Sequence, residues 1–452
     1  MNSFWGRSEL LDEVHRRLRA DDIRFLSLQF TDIVGLVKSV TIPAEQLPEV
    51  VERGHWFDGS AIEGFARVAE ADMYLVPDLS TYAVIPWMRG EMATARLICW
   101  VFTPSGEPFP GDPRYVLLRA VKAARELGFE YRTAPEVEFF LFRRDESGQI
   151  APLPHDQASY FDFTTDLAIQ VRQEMVGTLQ LMGVRVEASH HELAAGQHEL
   201  DLAMTEAIAS ADQTVTLRYA LKAVAQARNL HVTFMPKPIQ GTYGSGMHIH
   251  QGLFDVETGR NVFADPDDEY GLSEVGRYFV AGQLYHARAI TAVTSPLVNS
   301  YKRLASGFEA PAHISWARIN SAALIRVPKL APDQVGRTRV EIRSPDPACN
   351  PYLAFAVLLW AGLDGIRRRL PLPEPVEENL YQMDATELRR RNIGLLPMSL
   401  AEALDALEQD PVIIEALGPP VFERFLEAKR LEWVSYRDQV TPWELSRYLE
   451  AY

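Results

Sequence analysis

Cysteine is nearly missing: only Cys99 and Cys349 occur among 452 residues. That excludes a disulfide scaffold and a thiolate zinc site. It suits a reducing compartment, so a cytoplasmic location is expected. No run of 18 apolar residues occurs, so no membrane span is expected. Met1–Ala20 is charged and lacks the apolar core of a signal peptide. Internal repeats and low-complexity tracts are missing too. Neither GxxxxGK followed by Ser or Thr nor GxGxxG is present, so neither a P-loop nor a Rossmann site can be argued. Positive charge is in deficit: 45 Lys and Arg face 61 Asp and Glu, a net charge of -16. Such a surface argues against nucleic acid as a partner. The acidic excess is either ordinary surface or carboxylates converging on cations, and position decides between the two.

What is present is an ordinary globular composition, 47% hydrophobic and 23% charged. At about 100–200 residues per domain, two to three domains are expected. Helical periodicity covers Ser8–Ala20, Tyr115–Gly128, Asp166–Met182, Ala207–Asn229, Ser273–Ala292, Tyr352–Arg369 and Val421–Asp438. Strand patterns fit Ile23–Phe30, Leu36–Ile42, Ala93–Phe102, Glu130–Phe142, Val184–His191, Met247–Leu253 and Arg339–Arg343. The breakers Pro104, Gly106, Pro108, Pro110, Gly111 and Pro113 mark a boundary. The reading is an α+β protein, with a small N-terminal domain at 1–107 and a large domain with an antiparallel sheet at 108–452.

The chemistry starts at Pro135-Glu136-Val137-Glu138-Phe139. Residues two apart on a strand share a face, so Glu136 and Glu138 stand side by side in an apolar strand. Like charges that close are expensive to bury, and a cation beside them resolves the cost. His190-His191-Glu192 and Gly196-Gln197-His198-Glu199 add two carboxylates across a glycine-containing turn. His248 and His250 share a strand face, as do Arg339, Glu341 and Arg343. Oxygen-rich ligation with one imidazole suits Mg²⁺ or Mn²⁺. Two such ions with arginines are equipped for phosphoryl transfer.

Many segments match one family in order. They include FTDIVG at 30–35, FDGSAIEGF at 57–65, PEVEFFLF at 135–142, EASHHE at 187–192 and GQHE at 196–199. Further matches are GSGMHIH at 244–250, NSYKRL at 299–304, GFEAP at 307–311, RVEIRSPDPACNPYLA at 339–354 and VTPWE at 440–444. The chain resembles bacterial type I glutamine synthetases along nearly its whole length. The resemblance implies an N-terminal β-grasp domain, and a catalytic domain whose curved antiparallel sheet forms the active site. It implies a dodecamer of two hexameric rings, with Asp58 supplied by the adjacent chain and Tyr436–Tyr452 as the strap between rings. The implied reaction uses ATP to phosphorylate the side chain of glutamate and then ammonia to displace phosphate, giving glutamine.

By motif match, Glu138, Glu192 and Glu199 would hold one metal, and Glu136, His248 and Glu341 the other. Arg303 and Arg343 would bind glutamate or the reacting phosphoryl group, and Arg326 and Arg339 would stabilise phosphate charge. Asp58 would deprotonate ammonium beside Tyr160, and Glu309 would close the site. Gly244 would line the glutamate pocket, while Glu187 and His250 would lie at the nucleotide. Three positions depart from the family pattern: Ala61 and Tyr243 replace polar residues, and Ser321 replaces a phosphate-facing arginine that Arg318 is a candidate to replace. These changes raise two alternatives to ammonia ligation. One is γ-glutamylation of an organic amine or polyamine; the other is a weakly catalytic sensor or assembly partner. Tyr381 lies where some relatives carry an adenylylated tyrosine, and the expectation for it is an exposed loop residue.

Overall fold

The computed structural model describes residues 8–60, 62, 72–145, 147–304 and 310–452. Five strands form the first sheet, in the order β2-β1-β5-β4-β3. They are β1 (Phe25–Thr31), β2 (Val37–Pro43), β3 (His55–Asp58), β4 (Asp72–Val84) and β5 (Thr94–Phe102). The hairpin expected around Asp32–Gly35 is present, and Gly35 sits at φ 88°, which favours glycine. β1 also pairs in parallel with the central strand β5. This mixed sheet is the expected β-grasp unit.

The second sheet has eleven strands. They are β6 (Phe129–Arg144), β7 (Ile150–Pro154), β8 (Val186–His191), β9 (Gln197–Leu202), β10 (Thr205–Glu206), β11 (Leu230–Thr233), β12 (Met247–Asp255), β13 (His313–Ala317), β14 (Ala323–Arg326), β15 (Val340–Ile342) and β16 (Gly394–Leu395). The long β6 is its spine: β12 lies on one side and β9 on the other, both antiparallel. Val137, Phe139 and Leu141 point to one face of β6 and are fully buried in the main apolar core. Glu136 and Glu138 point to the other face. Period-2 alternation thus separates packing from chemistry.

Helices cover the apolar face. The most buried is Pro351–Arg368, capped by Asn350, whose side chain accepts from Tyr352 N and Leu353 N. It crosses the helix Glu274–Tyr285 closely enough that a Cβ at Gly282 would stand 2.1 Å from the Ala361 carbonyl oxygen. The continuous helix expected over Ser273–Ala292 is instead two helices, Glu274–Tyr285 and Ala287–Thr294. At the junction, the His286 ring meets Asp410 at 2.6 Å and Asp364 at 3.0 Å. Its backbone, at φ -93° and ψ 6°, leaves the helical region there.

The two sheets are bolted together beside the breaker cluster. Asp112 caps the helix Pro113–Glu126 and also accepts from Val101 N of β5 at 3.2 Å. Arg114 ion-pairs with Asp78 of β4 and with Asp212, each at 2.8 Å, and stacks over Trp100. A buried charge paired on both sides is costly to break, by about 3–5 kcal/mol when one partner is removed.

Candidate active site

A polar cavity of about 560 Å³ opens on the hydrophilic face of the second sheet. Glu136 and Glu138 (β6), Glu192 (just past β8), Glu199 (β9) and His248 (β12) line it, with Tyr160, Gly244, Arg303, Arg326 and Arg343. A larger cavity of about 650 Å³ lies elsewhere, lined by no acidic residue. The metal-ligating chemistry therefore converges on the polar one.

Sheet register places the carboxylates. Glu138 pairs with Glu199 across β6–β9, and Glu136 pairs with Asp201. Across β6–β12, Glu136 pairs with His248. Two groups result. In the first, Glu136 lies 3.3 Å from His248 Nδ1 and 2.6 Å from His250 Nε2. Glu341 completes this group, 2.7 Å from Arg326 Nε and 2.5 Å from Arg343 Nη1. Burial works against the charged form of Glu136, but hydrogen bonds from both histidines outweigh it and hold its carboxyl well below the usual range. Burial likewise opposes charge on Glu341, yet His250 and Arg343 hold it down at about 2.

The second group is the opposite case. His190 lies 3.4 Å from Glu192 and 3.2 Å from Glu199. Glu138 accepts from Gln197 Nε2 and from Gly246 N, both at 2.9 Å. Burial lifts Glu138 to about 7 despite the nearby Arg303. Burial and the charge of Glu138 lift Glu192 to about 7, and the same two causes push Glu199 far up. Three carboxyls, two of them buried, with too little positive charge are what a divalent cation would satisfy, and their oxygens fit Mg²⁺ or Mn²⁺.

The arginines frame the opening. Arg303 is buried and donates to the carbonyls of Arg343, Ser344 and Pro345 at 2.8–3.2 Å. A Cβ at Gly246 would stand 2.4 Å from Arg303 Nη2, so only glycine lets the guanidinium reach the site. Tyr160 is half-exposed, with its ring edge-on to His190 at 5.6 Å. Tyr243 and Ser321 both face the cavity.

Other expected residues stand apart. Asp58, at the end of β3, is exposed and accepts from Ser60 N at 2.9 Å; it does not line its own chain's cavity. Glu187 is exposed on β8, and Arg339 is half-buried beside β15; neither lines the cavity. His250 sits within the first carboxylate group rather than on the cavity wall. Glu309 and Ala61 lie outside the described residues. Arg318 does not stand in for the arginine missing at Ser321. It donates to the Glu269 carbonyl at 2.8 Å and stacks on Tyr270. The Tyr381 hydroxyl donates to the Ala310 carbonyl, and its ring is 40% exposed. Three site residues escaped the sequence reading: His190, Gln197 and Asp201. Asp201 follows Glu199 by two on a strand, so the spacing rule that found Glu136 and Glu138 also reaches it.

Comparison with known proteins places this geometry. Residues 22–104 match the glutamine synthetase beta-Grasp domain and residues 110–448 the glutamine synthetase catalytic domain. The glutamine synthetase of Thermus thermophilus is 48% identical over 447 residues, covering 97% of this chain and 99% of that one. That of Halobacterium salinarum is 49% identical over 438 residues, covering 96% and 95%. A solved structure of GmaS with ADP superposes with a TM-score of 0.86 at 31% identity, covering 96% of this chain and 99% of that one. The chain belongs to the glutamine synthetase family of carbon–nitrogen ligases.

Proposed function

We propose that the protein joins the γ-carboxylate of glutamate to ammonia at the expense of ATP, through γ-glutamyl phosphate, giving glutamine, ADP and phosphate. One observation carries this reading: Glu136, Glu138, Glu192, Glu199 and His248 line a single cavity with Arg303, Arg326 and Arg343, and Glu341 is buried behind it against Arg326 and Arg343. Glu138, Glu192 and Glu199 would hold one divalent ion, and Glu136, His248 and Glu341 another. Bound there, such ions supply positive charge to phosphate oxygens. Arg326 and Arg343 add guanidinium charge on the same side, where the transferring phosphoryl group becomes more negative. Arg303, held by three carbonyls, is rigid enough to fix a substrate carboxylate.

The second step needs a neutral amine, hence a carboxylate to take its proton. By the resemblance Asp58 takes that role; it is exposed at the end of β3, and hydrogen bonds to Ser60 hold its carboxyl below the usual range. A neighbouring copy would have to supply it, as in the dodecamer the resemblance implies. Glu309 would shield the acyl phosphate from water.

Tyr243 on the cavity wall favours a second reading, an organic amine as acceptor, because its ring adds apolar surface to an otherwise polar cavity. The test is phosphate release from ATP, Mg²⁺ and glutamate, with ammonium and then methylamine, ethanolamine and polyamines. Release with ammonium supports the first reading. Release only with an organic amine replaces it with the second. ATP binding without release under any amine overturns both and leaves a sensor or assembly partner.

A further inference from the structure

The β8–β9 hairpin has two faces. One turns His190, Glu192 and Glu199 toward the cavity. The other carries His191 and His198, paired across the hairpin. Behind them lie Asp156, Asp166 and Arg172, and all five of these residues are at most 7% exposed.

Ligand atoms of Asp156, His191 and His198 lie within 4.8 Å of one another, a donor set that suits a transition metal. The hydrogen bonds decide against it. Arg172 Nη1 stands 3.0 Å from His198 Nδ1. A guanidinium only donates, so Nδ1 accepts and the proton of His198 sits on Nε2, which then cannot ligate. Both nitrogens of His191 already face oxygens: the Glu192 carbonyl at 2.6 Å and Asp156 Oδ1 at 2.9 Å. Arg172, paired with Asp166 at 2.7 Å, also adds a positive charge that a cation would meet.

What the cluster does is fasten. Asp156 Oδ1 also accepts from Gly196 N at 3.0 Å, and Oδ2 accepts from Leu167 N at 3.2 Å. One carboxylate therefore gathers the end of β8, the turn into β9 and the segment that carries Tyr160. The hairpin needs such a tie. β8 is the edge strand of the sheet, and the hairpin's cavity face bears carboxylates that repel one another.

We propose that Asp156 and His191 are positioning residues for one half of the site. They hold Glu192 and Glu199 at the spacing a divalent cation requires, and they leave the Glu136–His248–Glu341 half untouched. This rests on reading the cavity as a two-cation ligase site. The test is a Mn²⁺ titration of the full-length protein without substrates, followed by electron paramagnetic resonance, comparing wild type with Asp156→Asn and His191→Gln. Two classes of Mn²⁺ are expected in wild type. In each variant one class should weaken about 10-fold or more, the usual cost of losing an outer-shell partner, while the other stays within about 2-fold. Two classes that both persist in the variants overturn this inference alone. Two classes that fall together with the melting temperature also overturn it, because the network would then be only structural. Wild type without two classes overturns both the inference and the reading beneath it.

Discussion

The two halves of the cavity solve the same problem in opposite ways. In the Glu136–Glu341 half, each carboxylate has cationic or imidazole partners within 3.3 Å: His248 and His250 for Glu136, Arg326 and Arg343 for Glu341. In the Glu138–Glu192–Glu199 half, three carboxyls share His190 and the more distant Arg303, and their affinity for protons rises. The first half is charge-balanced as folded. The second is balanced only by protons or by a cation. The strands explain why. β12, β14 and β15 bring basic side chains to the first half, while the second is built from β6, β9 and the end of β8, which supply almost only acids.

The largest effect should come from breaking the balanced half. Glu341→Ala removes the shared partner of Arg326 and Arg343 and leaves two cations facing each other. Turnover should fall by about 10³-fold or more, since a group acting on the developing charge is lost. Stability in denaturant should drop by about 3–5 kcal/mol, the cost of orphaning a buried charge. Near-native phosphate release would refute the assignment of Glu341 to the site.

The unbalanced half should respond with opposite signs. Glu192→Gln keeps the shape and removes one of three competing acids. Turnover and Mn²⁺ affinity should both fall, by about 10–100-fold for a lost or weakened ligand. The metal-free protein should nevertheless gain about 1 kcal/mol, because like-charge repulsion is relieved. Adding Mn²⁺ at about 100 times its dissociation constant should stabilise wild type by about 2.7 kcal/mol per site, and the variant by less. Thermal melts with and without Mn²⁺ read both signs. A metal-free Glu192→Gln protein less stable than wild type would erase the contrast between the halves.

The contrast was half legible in the sequence. Two-residue spacing on strands put Glu136 beside Glu138, and Arg339, Glu341 and Arg343 on one face, because side-chain period is local physics. Most helix and strand positions followed from the same periodicities, and the hairpin at Gly35 from turn chemistry. What strands pair across was not legible. That Glu138 faces Glu199, or that His250 reaches Glu136, depends on register between segments 60 to 115 residues apart. His191 and His198 are next in sequence to Glu192 and Glu199, and the sequence reading gave them no role. Alternation turns them to the far face, where they form the buried anchor. The failed role for Arg318 has the same cause: its face was set by Tyr270 and Glu269, distant in sequence.

A third charge arrangement, outside both halves, calibrates the comparison. His286 is buried between Asp364 and Asp410, and Arg368 shares Asp364 with it at 2.8 Å. Burial alone would lower the pKa of His286, but hydrogen bonds to Asp410 and Asp364 outweigh it and raise the value above that of a free histidine. A group whose folded pKa is raised contributes stability that is fully present below its unfolded pKa of about 6.5 and is lost as pH rises through the folded value. His286→Gln, uncharged at every pH, should therefore destabilise by about 1.5–3 kcal/mol at pH 6, the range for hydrogen bonds to charged groups. The gap to wild type should narrow as pH climbs above about 6.5. Denaturation of both proteins at intervals from about pH 6 to 9 measures that gap. If it stays flat, His286 folds neutral. If it narrows, His286 folds as a cation between its two carboxylates.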